Sequence, residues 1–443
     1  MNDAALMRRF QRVRDRNALT RAFRARRLAN RRAKRRVNGA RVSGIEETRP
    51  LIVSACTSPE KRMKSLRLKC RRPASGAPAL VLLAVPLIAL GSLTPQSLKS
   101  GGSLSETDTM SAVRMAHTAT ALPDGRVLVA GGFTSEANAA HSAEAYAPGA
   151  RRFSALPRMI TVRYSHTATM LPNGKVLIAG GYAAGSTTIA AAELFDPATN
   201  TFAATGSLQS ARSDHVAVLL SDGRVLIAGG LGPDWTFLSS AELYDPATGL
   251  FSRTGSMSIA RESHVAVRLR DGRVLIAGGH RGRRADITLY TSAETYDPVS
   301  GVFRRVGDMG VRRHKHDAVM LRDGRVLITG GADERDDKGV YNTTELFDPA
   351  SAVFTPGPLM IRPRYKHNGS AVLLPTGEVL LAGGATQAEI FEPASGTFSL
   401  VAGDARMAGQ FSAVAPVRGG GALITGGYGG GTGPRASAWI YRP

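Results

Sequence analysis

The chain repeats one short pattern of polar and apolar positions seven times. In the third copy it runs from Ser221 to Gly230, as a polar turn, the apolar strand VLIA and two glycines. An apolar run without alternation indicates a strand that is covered on both faces. The paired glycines recur about every 50 residues, which predicts an all-β, seven-bladed propeller. The pairs are Gly131-Gly132, Gly180-Gly181, Gly229-Gly230, Gly278-Gly279, Gly330-Gly331, Gly383-Gly384 and Gly426-Gly427.

Each copy predicts one blade of four antiparallel strands. Asp222-Gly223 joins the first two strands of the third copy, because Asp-Gly and Asn-Gly favour a tight hairpin with positive φ. The third strand ends at Pro246, which cannot donate to a sheet ladder and starts a turn. Phe251 follows five residues later in the fourth strand, and the other complete copies keep this spacing.

The last copy lacks its own fourth strand. It reaches only Tyr441 to Pro443, the end of a third strand. The outer-strand Phe of one copy lies at a regular spacing before the histidine of the next copy. The same spacing counted back from His117 places a strand near Leu104. We therefore expect residues around Leu104 to form the outer strand of the last blade, so that no open seam remains.

These residues resemble the Kelch-repeat family, whose pattern is Gly-Gly after an apolar strand, then a Tyr, then an aromatic residue seven positions later. Gly229-Gly230, Tyr244 and Phe251 fit it. A second copy that fits is Gly278-Gly279, Tyr296 and Phe303. The chain departs from the family in having Phe where Trp is usual. The resemblance covers residues 103–443 and implies the propeller fold, which hosts both enzymes and binding scaffolds.

The resemblance also bears on copper chemistry. Galactose-oxidase-like members of this superfamily need two Tyr, two His and a Cys that is cross-linked to one Tyr. The only cysteines here are Cys56 and Cys70, both in front of the propeller. Copper-radical oxidation is therefore disfavoured, and we expect no cofactor.

Positive charge is concentrated at the start of the chain. The net charge is +22, but residues 1–72 carry 23 of the 57 basic residues and only 5 of the 35 acidic ones. The propeller is close to neutral, so no nucleic-acid partner is expected for it. Residues 1–62 form a basic extension, to be interpreted as a disordered segment, a mis-assigned start before Met63, or an RNA- or phosphate-binding arm.

Residues 63–91 have the pattern of an export signal. A basic stretch precedes the apolar core Ala79–Leu90, and small residues follow it. Cleavage would give a secreted, periplasmic or cell-surface monomer, whereas an uncleaved segment would be a membrane anchor. Residues 92–102 are then a linker and residues 103–443 the propeller.

An Arg-x-x-His sequence opens the first strand of six copies. A glutamate lies in the third strand of the same six copies, and the seventh has Trp439 instead. This joint distribution predicts a polar bond repeated in each blade; a ring of ligands for an anion or a metal is the alternative. The histidines are His117, His166, His215, His264, His316 and His367. The glutamates are Glu144, Glu193, Glu242, Glu294, Glu345 and Glu389.

Variation between copies is concentrated in the loops after Gly-Gly. These loops share one face of the propeller with the Arg-x-x-His sequences, while the Asp-Gly hairpins and Asp-Pro turns occupy the other face. Aromatic and arginine side chains in such loops favour recognition of a protein or glycan. The candidates are Trp235, Phe237, Arg281, Arg283, Tyr290 and Tyr341. A carbohydrate-active enzyme, such as a sugar epimerase or mutarotase or an oxidase-like protein, with its site at the channel mouth, is the alternative.

Overall fold

The structure is a computed structural model, and it describes residues 98–134, 139–283, 286–334, 339–403, 409–429 and 433–443. The predicted basic extension and export signal lie outside these residues. Strand β1, Leu98–Glu106, begins within the stretch expected to be a linker. No helix in the described part is long and apolar enough to cross a membrane.

Seven four-stranded blades follow one another around a central axis, as predicted. Blade 1 consists of β2 Thr118–Ala121, β3 Val127–Ala130, β4 Ala143–Ala147 and β5 Arg152–Ala155. Blade 2 consists of β6 Thr167–Met170, β7 Val176–Ala179, β8 Ala192–Asp196 and β9 Thr201–Ala204. Blade 3 consists of β10 Val216–Leu219, β11 Val225–Ala228, β12 Ala241–Asp245 and β13 Leu250–Arg253. Blade 4 consists of β14 Val265–Arg268, β15 Val274–Ala277, β18 Ala293–Asp297 and β19 Val302–Arg305.

The remaining blades complete the ring. Blade 5 consists of β20 Asp317–Met320, β21 Val326–Thr329, β22 Thr344–Asp348 and β23 Val353–Pro356. Blade 6 consists of β24 Ala371–Leu373, β25 Val379–Leu381, β26 Glu389–Glu392 and β27 Thr397–Gly403. Blade 7 consists of β28 Ala413–Pro416, β29 Ala422–Thr425, β30 Ala438–Arg442 and the N-terminal strand β1. A small ribbon of β16 His280–Arg281 and β17 Thr288–Leu289 and two 3-10 turns, Ala184–Ser186 and Pro233–Trp235, lie in the loops after Gly-Gly.

The core lies between neighbouring blades. All four residues of β11 are fully buried, in agreement with the apolar run read from the sequence. On the outer strands, Tyr244 and Phe251 are cross-strand partners with ring centroids 4.8 Å apart, a favourable aromatic pair. Blades 1, 2 and 4–6 have an equivalent pair. The Phe that replaces the usual Trp therefore packs against the third strand in blades 1 to 6.

Strand β1 closes the ring, which confirms the prediction for Leu104. Ser103–Glu106 pairs antiparallel with β30, with Leu104 opposite Tyr441. The sequence did not indicate a second pairing, in which β1 also runs parallel to β27 and joins blades 6 and 7 in one eight-stranded sheet. This close approach requires Gly403, since a Cβ there would lie 2.3 Å from the Leu104 carbonyl oxygen.

The polar bond repeated in six blades joins arginine and glutamate. In blade 2 the fully buried Arg163 guanidinium donates to Glu193 Oε1 at 2.8 Å and to the Gly180 carbonyl at 2.8 Å. Glu193 also accepts the Ile160 amide at 2.8 Å, so both charges are paired and hydrogen-bonded. Burial lowers the pKa of Arg163, and the Glu193 carboxylate opposes that shift. The other pairs are Arg114–Glu144, Arg212–Glu242, Arg261–Glu294, Arg313–Glu345 and Arg364–Glu389.

Candidate functional site

A collar of seven equivalent residues surrounds one mouth of the central channel, which has a volume of about 440 Å³. Each residue has a left-handed backbone with φ between 50° and 56°. Backbone hydrogen bonds of 2.7 to 3.2 Å join six pairs of neighbours in the collar, for example from the Ser165 amide to the Ala116 carbonyl. The collar residues are Ala116, Ser165, Asp214, Ser263, Lys315, Lys366 and Phe411. We call this mouth the upper face; the Asp-Gly hairpins form the lower face.

The six histidines follow the collar and point to the preceding blade instead of pairing with glutamate. His166 Nε2 and Thr118 Oγ1 are 3.1 Å apart, and His215 Nε2 and Thr167 Oγ1 are 3.0 Å apart. A Cβ on Gly131 would lie 2.7 Å from His166 Cε1, so the first glycine leaves room for an imidazole in six of the seven pairs. Burial, and then the charge of Arg114, lower the pKa of His117 to about 3, which keeps this ring neutral.

Blade 5 departs from this arrangement. Val265 occupies the position of Thr118 and Thr167, so no hydroxyl faces His316 from blade 4. Within the described residues, neither ring nitrogen of the fully buried His316 has a hydrogen-bond partner. Burial holds the pKa of His316 well below its usual range.

The histidine ring is distributed around the axis, and each member has 0 to 7% of its surface exposed. In the described part of the chain, no three His, Cys, Asp or Glu side chains come together as a metal site. These six residues therefore lie at the blade interfaces and do not form one common site.

Above the collar, the strands of six blades are extended by one bridged pair of residues. Each pair joins the residue two positions before the histidine position to the residue after Gly-Gly. We call this set the upper layer. Its pairs are Met115–Phe133, Tyr164–Tyr182, Ser213–Leu231, Glu262–His280, His314–Ala332 and Gln410–Tyr428.

One sector of the upper layer is aromatic. The rings of Phe133 and Tyr164 are 5.3 Å apart, those of Tyr164 and Tyr182 are 5.1 Å apart, and Trp235 lies 6.4 Å from Tyr182. Trp235 is half-buried and carries the Arg283 guanidinium 3.1 Å from its ring centroid. Two of the predicted recognition residues are thus stacked on each other at the edge of an aromatic surface.

The adjoining sector, on blades 4 and 5, is ionisable. His280 Nε2 lies 3.2 Å from Glu262 Oε1, and the His280 ring is 4.9 Å from the ring of His314 in the next blade. Phe237 borders this group with its ring 5.9 Å from His280. Sequence reasoning singled out Phe237 and missed the other three. Aligning the copies on Gly-Gly would have shown ionisable side chains where other blades have Tyr, Phe, Met, Leu, Ser, Gln or Ala.

Tyr290 and Tyr341 have a different environment from Trp235. Both are half-buried, and their rings lie 5.3 Å from the Arg261 guanidinium and 5.7 Å from that of Arg313. They cover the buried arginines of blades 4 and 5. The remaining candidate, Arg281, is exposed on the ribbon beside His280.

Lysine is a further feature that the sequence reading missed. Lys366 of the collar donates to Tyr428 Oη at 2.6 Å, and its ammonium lies 4.5 Å from the Tyr365 ring centroid. Lys315 also approaches Tyr365, at 5.8 Å. The upper face therefore carries cationic groups on blades 5 and 6, next to the ionisable sector.

Comparisons agree with this architecture. A family model described as the Kelch motif matches residues 212–258. Among solved structures, a copper-bound fungal alcohol oxidase of the AA5 family has a similar fold, with a TM-score of 0.61 and 16% identity over 78% of this chain and 77% of that chain. No curated protein matches the sequence. The chain is a β-propeller in which residues 212–258 match the Kelch motif, and its fold is similar to that of the oxidase.

The copper of that oxidase has no fitting counterpart among the described residues here. Tyr365 and His367 are separated by Lys366, and His367 Nε2 faces the Thr329 carbonyl oxygen at 3.0 Å. No cysteine occurs in the described residues, and no cluster of three potential metal ligands is found among them. We derive no reaction step through copper.

Proposed function

We propose that this protein is an exported propeller that binds a protein or a glycan on its upper face. The observation that carries the proposal is the division of the upper layer into two adjoining sectors, one aromatic and one ionisable. The side chains of these two sectors can be compared with those at the equivalent positions of the other blades, because the supporting strands are the same and only the side chains differ.

The two sectors suit a ligand with both flat apolar surfaces and polar groups. Trp235 and Phe237 offer half-buried rings, and Arg281 is exposed beside them. Aromatic and arginine side chains supply much of the affinity in recognition sites. The rigid blades hold these loops in place, which lowers the entropy cost of binding.

Export supports the same proposal. The basic stretch and apolar core between residues 63 and 91 would deliver the propeller to an environment where extracellular glycans and surface proteins are its available partners. N-terminal sequencing of protein collected outside the cytoplasm should find a start near Ser92. An intact Arg-rich segment would contradict export by cleavage.

Binding is tested on a glycan array with residues 92–443, comparing the wild type with Trp235→Ala and Arg281→Glu. Both variants should lose the wild-type signal. Arg224→Gln, on the lower face, is the matched control and should keep it. Loss of signal in the control alone would place the site on the opposite face, and absence of any array signal would favour a protein ligand.

Glu262, His280 and His314 favour an acid–base enzyme as the second candidate. A carboxylate and an imidazole 3.2 Å apart can exchange a proton with a sugar hydroxyl. Sugar isomerisation monitored by NMR tests this candidate. A rate that falls in His280→Gln, while His141→Gln keeps the wild-type rate and pH optimum, would support catalysis. A His280→Gln rate equal to that of His141→Gln would exclude it.

A further inference from the structure

The lower face contains a cleft of about 670 Å³ between blades 7 and 1, far from the upper layer. Four segments line it: the blade 7 hairpin around Arg418, the blade 1 hairpin around Asp124, the blade 1 turn at Pro148 and the end of β30 at Arg442. Its volume lies within the range of small-molecule sites, roughly 300 to 1,000 Å³. Neither the repeat pattern nor the proposed function accounts for it.

The hairpin arginine that crosses to the next blade in blades 1, 3 and 4 is missing from blade 7; the same position is Lys175 in blade 2 and Glu378 in blade 6. At the seam between blades 1 and 2, Arg126 reaches across and donates to the Pro197 carbonyl at 2.9 Å. Arg224 and Arg273 make the same crossing to Pro298 and Pro349. In blade 7 this hairpin position is Gly421, where a Cβ would lie 2.3 Å from the Tyr441 carbonyl oxygen. No side chain can therefore cross from Gly421, and the exposed Arg418 of the same hairpin crosses this seam instead.

The third strands on both sides of this seam also lack the terminal carboxylate found in blades 2 to 6. In blades 2 to 5 the third strand ends with an aspartate, whereas the equivalent residue is Ala147 in blade 1 and Arg442 in blade 7. The four aspartates are Asp196, Asp245, Asp297 and Asp348. The hairpin aspartate is likewise replaced, by Gly419. Of the carboxylates repeated around the lower face, Asp124 is the one that lines the cleft.

We propose that this cleft binds a ligand bearing a sulfate, phosphate or carboxylate group, held by Arg418 and Arg442. Both side chains are exposed, and Arg418 donates to the Pro123 carbonyl on the far side of the seam. The lining carboxylate, Asp124, is paired with Arg126 at 2.6 Å. Arg418 uses one N–H on Pro123, so its other N–H donors and those of Arg442 can face an anion. Guanidinium is well suited to bidentate contact with such groups.

The test restores the residues of the other blades. Ala147→Asp with Arg442→Asp introduces side chains that the same turn accepts in blades 2 to 5, so the double variant should fold normally. Binding of inorganic sulfate, inorganic phosphate and a sulfated disaccharide is measured by isothermal titration calorimetry at constant ionic strength. Affinity should fall on the order of tenfold or more in the double variant. Arg304→Asp, an exposed change on β19 away from the cleft, should bind as the wild type does.

Equal affinity in the double variant and the wild type, or no saturable binding of any of the three probes, would overturn the proposal. Tighter binding of the disaccharide than of inorganic sulfate would identify a sugar sulfate as the source of the anion; similar affinities would identify the free anion. If the double variant unfolds, Arg442→Gln, which leaves the blade 1 turn unchanged, must show the loss instead.

Discussion

The neutral histidine ring should make the propeller sensitive to mild acid. All six rings are buried, and burial lowers the pKa of His117, His264 and His367 to about 3 and that of His166, His215 and His316 well below 6.5. The unfolded chain binds protons with an ordinary histidine pKa of 6.5, and the folded chain does not. Stability is therefore full above pH 6.5 and falls as the pH decreases below it.

The size of the effect follows from proton linkage. At pH 5.5 each histidine lowers the free energy of unfolding by about 1.4 kcal/mol, or about 8 kcal/mol for the ring, which is comparable to the total stability of a typical domain. Asp317 opposes this, because burial raises its pKa to about 6 and the folded state gains a proton there. That gain is about 0.8 kcal/mol at pH 5.5 and is too small to cancel the loss.

Urea unfolding between pH 7.5 and 5.5 measures this dependence, with fluorescence of the buried Trp439 as the probe. His166→Gln should reduce the slope of the unfolding free energy against pH by the equivalent of about one proton, whatever the variant's stability at pH 7.5. His141→Gln removes an exposed ring and should leave the slope unchanged. A free energy of unfolding that stays constant down to pH 5.5 would refute the reasoning.

Three further predictions concern stability. Val265→Thr should give His316 the hydroxyl partner that the histidines of blades 2 and 3 have and raise the free energy of unfolding in urea by about 1 kcal/mol, whereas Val267→Thr should not. Gly229→Ala should destabilise by about 2 kcal/mol or more, because its Cβ would meet His264 Cε1 at 2.7 Å; Gly174→Ala, with open space around it, should cost about half as much. Deleting residues 98–106 should lower the melting temperature far more than deleting residues 1–62, and equal melting temperatures would contradict closure by β1.

Local sequence signals were sufficient for the blades because every copy carries the same hairpin, glycine and proline chemistry. The closing strand could be located because the spacing between copies is regular, and Leu104 lies where that spacing places it. The partner of each glutamate could not be read in this way. The arginine and the histidine of the Arg-x-x-His sequence are three residues apart in all six copies that contain the glutamate. Their distribution alone therefore cannot tell which of the two contacts Glu193.

Features that break the repeat were harder to predict. The grouping of Glu262 with His280 and His314 depends on contacts between positions far apart in the chain and between neighbouring blades. The parallel pairing of β1 with β27 depends on the length of β27, which has seven residues where most outer strands have four. The sequence of β27 carries no distinct signal for this extra length. Such contacts arise from tertiary geometry.

The position of β1 has a consequence for how the protein is made. This strand precedes blade 1 in the chain, yet its partners β27 and β30 belong to blades 6 and 7. During synthesis it must remain unpaired while the six intervening blades form, and the ring closes only when β30 has emerged. Pairings of such long sequence separation form slowly. Until then, β1 and the open edge of β27 can pair with the same strands of another chain, so concentrated refolding should favour dimers that exchange this strand.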